Sequence, residues 1–354
     1  MADMMKAFVM KGIGEVGFME KPIPEPGSSD AVIRTTRALV CTSDTHTVGG
    51  AIGERKDLTL GHEAVGVVHK VGEAVERVKI GERVLVGAIT PDFTCDNCQR
   101  GYPSHCGQML GGWKFSNTKD GVFAQYFHVN NADANLAPIP DSISDDLAVY
   151  CCDMLSTGFM GAEHANIPLG GTVAVFALGP VGLMAVAGAR LLGAGYIIGV
   201  DSIRKRQELG MHFGADAIVD FSKIDPVEEI LRMTNGKGVD SSIEALGAQK
   251  TFEACINATA PGGTISVIGY FGEGDYVQIP RLAWGVGMSD KTIRTGLCPG
   301  GRLRMEKLLR LIQTGRVDPS PMTTHRFKFD QLDKALRMMK TKEDGIIKPL
   351  IIFE

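Results

Sequence analysis

Between residues 172 and 269 short β-prone runs alternate with helical stretches of about ten residues, and this alternation constrains the fold more than any other feature of the chain. The strand-like runs are 172–177, 196–200, 217–220, 239–244 and 264–269. The helical stretches between them are 183–192, 204–213, 226–234 and 250–258. A helix of that length returns the chain to the edge where the strand began, so successive strands must lie parallel. The expectation is an α/β fold with a doubly wound parallel sheet covered by helices on both faces.

The flanks have a different texture. Residues 7–90 read as short β segments, among them 31–34, 64–68 and 83–86, separated by Gly, Pro and charged turns. Residues 91–120 are rich in Cys, Gly and His. Beyond residue 300 come a helix (303–313), a strand (324–329), a short helix (331–339) and a terminal strand (348–353). A length of 354 residues suits two domains. The expected division is 154–296 for the nucleotide-binding domain, inserted between 1–153 and 297–354 of a mainly β domain. A cofactor is then expected in the cleft between them.

Composition excludes several classes. A net charge of −4 offers no basic stripe for nucleic acid. Apolar runs are broken well before the ~20 residues of a membrane span. Met1 to Lys6 has no signal-peptide architecture, and the last residues match no retention address, so a cytoplasmic protein is expected. Eight cysteines in 354 residues are too sparse for a disulfide scaffold, but three stand at metal-ligand spacing.

The turn after the first strand of the alternating region reads Ala177-Leu-Gly179-Pro180-Val181-Gly182. In a G-x-G-x-x-G turn the middle glycine lets the backbone approach a pyrophosphate, and the last lets helix and strand pack closely. The helix N-terminus presents free N–H groups to the phosphates. Here the first glycine is Ala177, although a residue that needs positive φ is not cheaply replaced by alanine. Asp201, nineteen residues beyond Gly182, ends the second strand, followed by Ser202. A carboxylate there accepts from the adenosine ribose 2′-OH and repels a 2′-phosphate, which points to NAD. Asp201 could instead cap the helix starting at Arg204. Arg204 and Arg206 are close enough to allow some tolerance of NADP.

Two clusters have metal-ligand character. Gly61-His62-Glu63-Ala-Val-Gly66, with Gly72 and Val75 beyond it, has the spacing of a zinc alcohol dehydrogenase signature. Asp92, Cys95, Cys98 and Cys106 form an Asp-x2-Cys-x2-Cys-x7-Cys set.

With these motifs the whole chain resembles the zinc-dependent medium-chain dehydrogenases, and within them the tetrameric secondary-alcohol dehydrogenases. The narrower likeness is carried by Cys41-Thr-Ser43-Asp-Thr-His46, Ala51-Ile-Gly-Glu-Arg55, Gly112-Trp-Lys-Phe-Ser-Asn117, Lys119-Asp-Gly-Val-Phe123, Asn131-Ala-Asp-Ala-Asn-Leu136, residues 280–288 and Gly296-Leu-Cys-Pro-Gly-Gly-Arg-Leu-Arg-Met-Glu306. The resemblance implies a GroES-like catalytic domain around the Rossmann sheet. It implies a catalytic zinc held by Cys41, His62 and Asp153, with Glu63 beside the site or as an occasional ligand and Cys152 as the alternative third ligand. It implies a second, structural zinc at Asp92, Cys95, Cys98 and Cys106, with His105 as an alternative fourth ligand; the competing reading is a decayed site with free thiols. Ser43 would receive the proton of the alcohol and pass it through the nicotinamide ribose to His46, unless these two residues only cap a helix beginning at Thr42. Thr157 and Tyr270 join Gly179, Pro180, Val181, Gly182, Asp201 and Ser202 as cofactor contacts.

The implied substrate pocket comprises Ser43, Ala88, Ile89, Trp113, Tyr270, Leu297 and Cys298, with Met288 supplied by a neighbouring subunit; Trp113 could equally be a packing aromatic. Such an apolar pocket suits small secondary alcohols and ketones. The secondary-alcohol relatives mostly prefer NADP and carry Gly-Ser-Arg and a Tyr where this chain has Asp201-Ser202-Ile203 and Phe221. The expected protein is thus an NAD-dependent, zinc-dependent secondary-alcohol dehydrogenase, forming a homotetramer and binding neither nucleic acid nor membrane. The alternatives are a polyol or threonine-type dehydrogenase of the same superfamily and a non-catalytic nucleotide-binding protein.

Overall fold

The computed structural model describes residues 3–106, 119–272 and 274–354. The chain divides into two compact units, Thr157–Leu297 and Met1–Ser156 with Cys298–Glu354.

Thr157–Leu297 is built on a six-stranded sheet. Its strand order is Ala217–Val219, Tyr196–Val200, Thr172–Phe176, Val239–Glu244, Thr259–Val267 and Thr292–Thr295, and every pairing is parallel. Central strands such as Thr-Val-Ala-Val-Phe are apolar at consecutive positions because both faces are covered. Ala174, Phe176, Ile198, Val200, Ile243 and Ile265 are all buried. The chain winds outward in one direction from Thr172–Phe176 and then in the other from Val239–Glu244. The carboxyl end of the first strand therefore lies at a topological switch point, where such sheets bind ligands.

Three elements in or leading into this unit differ from expectation. Met154–His164 is a helix that the sequence pattern does not reveal, because residues 154–162 are buried on every side and no polar face marks a period. Thr292–Thr295 is a short polar edge strand, also without a pattern. Thr259–Val267 begins five residues earlier than expected, running through Ala-Pro-Gly-Gly, with a register shift between Val239 and Ser241.

The other unit centres on Ala31–Leu39, which pairs antiparallel with Ala64–Val71, Tyr126–Val129 and Lys348–Ile352. The sheet order is Thr323–Lys328, Lys348–Ile352, Ala31–Leu39, Ala64–Val71, Arg83–Val86, Leu136–Pro138. Thr323–Lys328 and Lys348–Ile352 are parallel, joined by the helix Leu332–Thr341. A separate three-stranded sheet holds Glu15–Pro22, Met4–Gly12 and Leu58–Thr59. Phe8, Met10, Ile33, Leu60, Phe123 and Leu332 fill the core of this unit. Among the described residues no helix is long and apolar enough to cross a membrane.

Candidate metal centre and nucleotide turn

Local sequence places each donor at the end of an element. Cys41 is the N-cap of the helix Thr42–Val48. His62 and Glu63 directly precede the strand Ala64–Val71, and Asp153 directly precedes the helix Met154–His164. Gly61 takes φ 88 beside His62, and a Cβ on Gly66 would stand 2.1 Å from the Arg34 carbonyl oxygen. Gly61 and Gly66 are thus both demanded by the backbone.

One ligand atom from each of Cys41, His62, Glu63 and Asp153 lies within 4.8 Å of the others. His62 Nε2 is 3.5 Å from Asp153 Oδ2 and 3.9 Å from Glu63 Oε1, and it hydrogen-bonds Ser43 Oγ at 3.3 Å. Cys152 stands outside this set: its thiol is buried and donates to the Ala64 carbonyl at 3.4 Å. At the start of the helix the capping side chain is Asp44, whose Oδ2 accepts the Cys41 N–H at 2.8 Å.

Two residues join the site that the sequence reading did not single out. Asp44 is buried, and its Oδ1 lies 3.2 Å from His62 Nδ1. Its signal was its place three residues after Cys41, where an acidic side chain folds back on the N-cap. Lys348 is fully buried, its ammonium 2.6 Å from Glu63 Oε1, itself fully buried. Nothing in the apolar terminal strand foretells that pairing. Burial raises the Glu63 carboxyl to about 7, against the pull of Lys348. Burial would lower Lys348, but the charges and hydrogen bond of Glu63 with those of Cys41 and Asp153 together outweigh it and hold the ammonium above its ordinary value. His62 shows the same contest: desolvation opposes its charge, yet Asp44 and Asp153 hold its imidazole well above its usual range. The pocket is an electrostatic trap for positive charge.

The second cluster is equally tight. Asp92, Cys95, Cys98 and Cys106 offer ligand atoms within 4.8 Å of one another, with Sγ separations of 3.5 Å for Cys95–Cys98 and 3.8 Å for Cys95–Cys106. Asp92 Oδ1 accepts the backbone N–H groups of Cys95 and Thr94, and the Cys95 bond leads in holding its carboxyl well below the usual range. Burial pushes the Cys98 thiol up to about 12. His105, the alternative ligand, is exposed and not part of the group.

In the nucleotide unit, Gly179 is the N-cap of the helix Pro180–Leu191, with φ −67 and ψ 178. No atom lies within 4 Å of where its Cβ would be, so its bare Cα is not demanded by protein packing. It leaves open space at a helix start whose free backbone N–H groups are of the kind that receives a pyrophosphate. Ala177 does adopt φ 73, the left-handed conformation that glycine would take more easily. The Asp201 carboxylate is turned inward, accepting from Leu178 N and Ile203 N, each at 2.9 Å. A carboxylate has about four acceptor sites, so these bonds leave capacity for a ribose hydroxyl.

Of the pocket residues, Ala88, Ile89 and Cys298 are buried near Cys152: the Ala88 N–H donates to the Cys152 carbonyl at 2.9 Å, and Cys298 Sγ is 4.0 Å from the same oxygen. Thr157, Tyr270 and Leu297 belong to the nucleotide unit. Met288 is exposed, as is much of Tyr270, and Trp113 lies outside the described residues.

The model of the alcohol dehydrogenase GroES-like domain matches residues 27–141, and that of the zinc-binding dehydrogenase matches residues 180–314. The chain is 53% identical to the NADP-dependent isopropanol dehydrogenase of Entamoeba histolytica, over 98% of this chain and 95% of that one. It is also 53% identical to the NADP-dependent isopropanol dehydrogenase of Thermoanaerobacter brockii, over 98% and 99%. The chain belongs to the zinc-binding alcohol dehydrogenases. Among solved structures, the alcohol dehydrogenase TADH from Thermus sp. ATN1 superposes with a TM-score of 0.90 at 29% identity, covering 99% of this chain and 100% of that one.

The donors present in this alcohol dehydrogenase fit the family's metal. A thiol, an imidazole and carboxylates are zinc ligands, and the imbalance of charge around His62 favours a cation. Asp44 then completes the carboxylate–histidine pairing that fixes a ligand's tautomer and orientation. Asp44→Asn keeps an oxygen to cap the helix but removes the charge. In a Cys95→Ser background, which disables the second cluster, it should weaken zinc affinity by about 10–100-fold in competition with a chelator. Unchanged affinity would leave Asp44 as a helix cap alone.

Proposed function

We propose that this alcohol dehydrogenase interconverts small secondary alcohols such as 2-propanol with their ketones, using NAD. The observation that carries the reading is the cluster of Cys41, His62, Glu63 and Asp153 with the Ser43 hydroxyl on His62. Cys41, His62 and Asp153 would hold the catalytic zinc, which supplies a Lewis acid for the substrate oxygen. A bound nicotinamide would supply the hydride acceptor, and oxidation of the alcohol then releases one proton as well. Ser43 Oγ is placed to take that proton as it passes its own onward. His46, one helical turn on, would be the group that hands the proton on. Partial burial, aided by the Lys342 ammonium, lowers His46, which keeps it neutral and able to accept a proton at neutral pH.

The relatives' names support 2-propanol as substrate, and the apolar setting of Ala88, Ile89 and Cys298 agrees with it. Asp201 supports NAD, although those relatives are named NADP-dependent. Asp92, Cys95, Cys98 and Cys106 would hold a structural zinc. A homotetramer is in keeping with the exposed Tyr276, Leu282 and Met288 and with Thr292–Thr295 lying at the edge of its sheet.

Initial rates with 2-propanol test the reading, comparing NAD with NADP on chelator-treated and zinc-reconstituted protein. Zinc-restored activity should favour NAD by about tenfold or more, a difference of roughly 1.4 kcal/mol. Preference for NADP would remove the Asp201 argument and leave the enzyme class intact. Inactivity with both cofactors would overturn the substrate class.

A further inference from the structure

Three cations cluster after the second strand of the nucleotide sheet, and they are not equivalent. Arg204 projects outward with its side chain 91% exposed and pairs with Glu208 at 3.0 Å. Lys205 is exposed. Arg206 instead folds inward: its side chain is 16% exposed, and Nη1 lies 3.6 Å from Asp201 Oδ2. That distance is an ion pair without a hydrogen bond. Among the described residues, Arg206 Nε is buried with no hydrogen-bond partner. The guanidinium is thus held close to Asp201 by charge, with donors to spare.

We infer that Arg206 is a latent anchor for an adenosine 2′-phosphate, withheld in this chain by the carboxylate of Asp201. The inference rests on the reading that Asp201 faces the adenosine ribose. Asp201 then acts twice against NADP. Its charge repels the phosphate, and the same charge engages the arginine that would otherwise receive it. A planar guanidinium with unused N–H groups is suited to a phosphate, which it binds through paired charge-assisted hydrogen bonds. The arrangement also explains how a carboxylate can be almost wholly buried at the strand end: Leu178 N and Ile203 N satisfy its oxygens, Gln207 Nε2 holds its backbone carbonyl at 2.7 Å, and Arg206 balances its charge. Arg206 belongs to the helix Arg204–His212 and its N–H bonds the Ile203 carbonyl, so its backbone is fixed while the long side chain can turn.

The test is equilibrium binding of NADH and NADPH, read by nicotinamide fluorescence, in Asp201→Asn, Arg206→Met and the double variant. Asp201→Asn keeps a side-chain oxygen for one of the two backbone N–H groups and loses the bond to the other; Asp201→Ser is the second variant should it fold poorly. Asp201→Asn should bind NADPH about 10–100-fold more tightly than the parent, as expected for one or two charge-assisted hydrogen bonds gained and a repulsion lost. Adding Arg206→Met should remove roughly tenfold or more of that gain while leaving NADH affinity close to that of Asp201→Asn. Arg206→Met alone should weaken NADPH further, because Asp201 would then face the phosphate unneutralised. If the gain in NADPH affinity survives in the double variant, Arg206 is not the anchor, and the role of Asp201 as gatekeeper stands. If neither Asp201 variant gains NADPH affinity, the reading of Asp201 itself falls and the inference falls with it.

Discussion

Lys348→Met should destabilise the protein by about 3–5 kcal/mol, the usual cost of stranding one member of a buried ion pair. Lys348 and Glu63 are both fully buried, and their 2.6 Å contact joins positions far apart in the chain. The two residues come from segments that flank Ala31–Leu39: the strand Lys348–Ile352 pairs with one edge and Ala64–Val71, directly after Glu63, with the other. Methionine fills much of the lysine's volume, so the loss is chiefly electrostatic: Glu63 would remain beside Asp153 without its cation. Lys348→Met with Glu63→Gln should recover most of the loss, because neither partner is then an uncompensated charge. Urea unfolding at fixed zinc concentration measures this as a shift in midpoint at constant slope. A double variant no more stable than Lys348→Met would show that the lysine acts by packing alone.

How much of this was legible in the chain depends on whether each feature leaves a local trace. The parallel sheet does, because strand and helix periods alternate and the run Thr172–Phe176 is apolar throughout. The helix Met154–His164 does not: buried on all sides, it has no polar stripe. Thr292–Thr295 is four residues of polar edge strand, indistinguishable from a loop until its neighbour is in place. For the metal centre, Cys41, His62 and Asp153 were named together through family resemblance, since spacing alone does not bring three distant segments to within 4.8 Å. Asp44 and Lys348 escaped because their roles are tertiary: one reaches back onto a histidine, the other across a sheet. Asp201 was legible as an acidic strand end, but its ion pair with Arg206 depends on which face of the helix Arg204–His212 turns inward.

Gly182→Ala and Gly179→Ala should separate what the nucleotide turn does for the fold from what it does for the ligand. A Cβ on Gly182 would stand 1.9 Å from the Ala177 carbonyl oxygen, which is backbone and cannot swing aside cheaply, since Ala177 already sits at φ 73. The helix Pro180–Leu191 cannot slide away either. A Cβ on Gly158 would stand 2.5 Å from Met184 Cβ, and one on Gly188 would stand 3.1 Å from Ala162 Cβ, so the helix is already packed at near backbone contact against Met154–His164. Gly182→Ala should therefore cost about 3 kcal/mol, at the upper end of overpacking, and weaken dinucleotide binding as well. Gly179 has an extended conformation open to any residue and empty space where its Cβ would go. Gly179→Ala should leave thermal stability within about 0.5 kcal/mol of the parent when no dinucleotide is present. It should nonetheless lose about tenfold or more in dinucleotide affinity, because the methyl occupies the approach that the pyrophosphate needs. Melting temperature and nicotinamide fluorescence on the two variants check both claims. Full affinity in Gly179→Ala would move the phosphate site away from this turn, and an unchanged melting temperature in Gly182→Ala would mean that the helix start is free to shift.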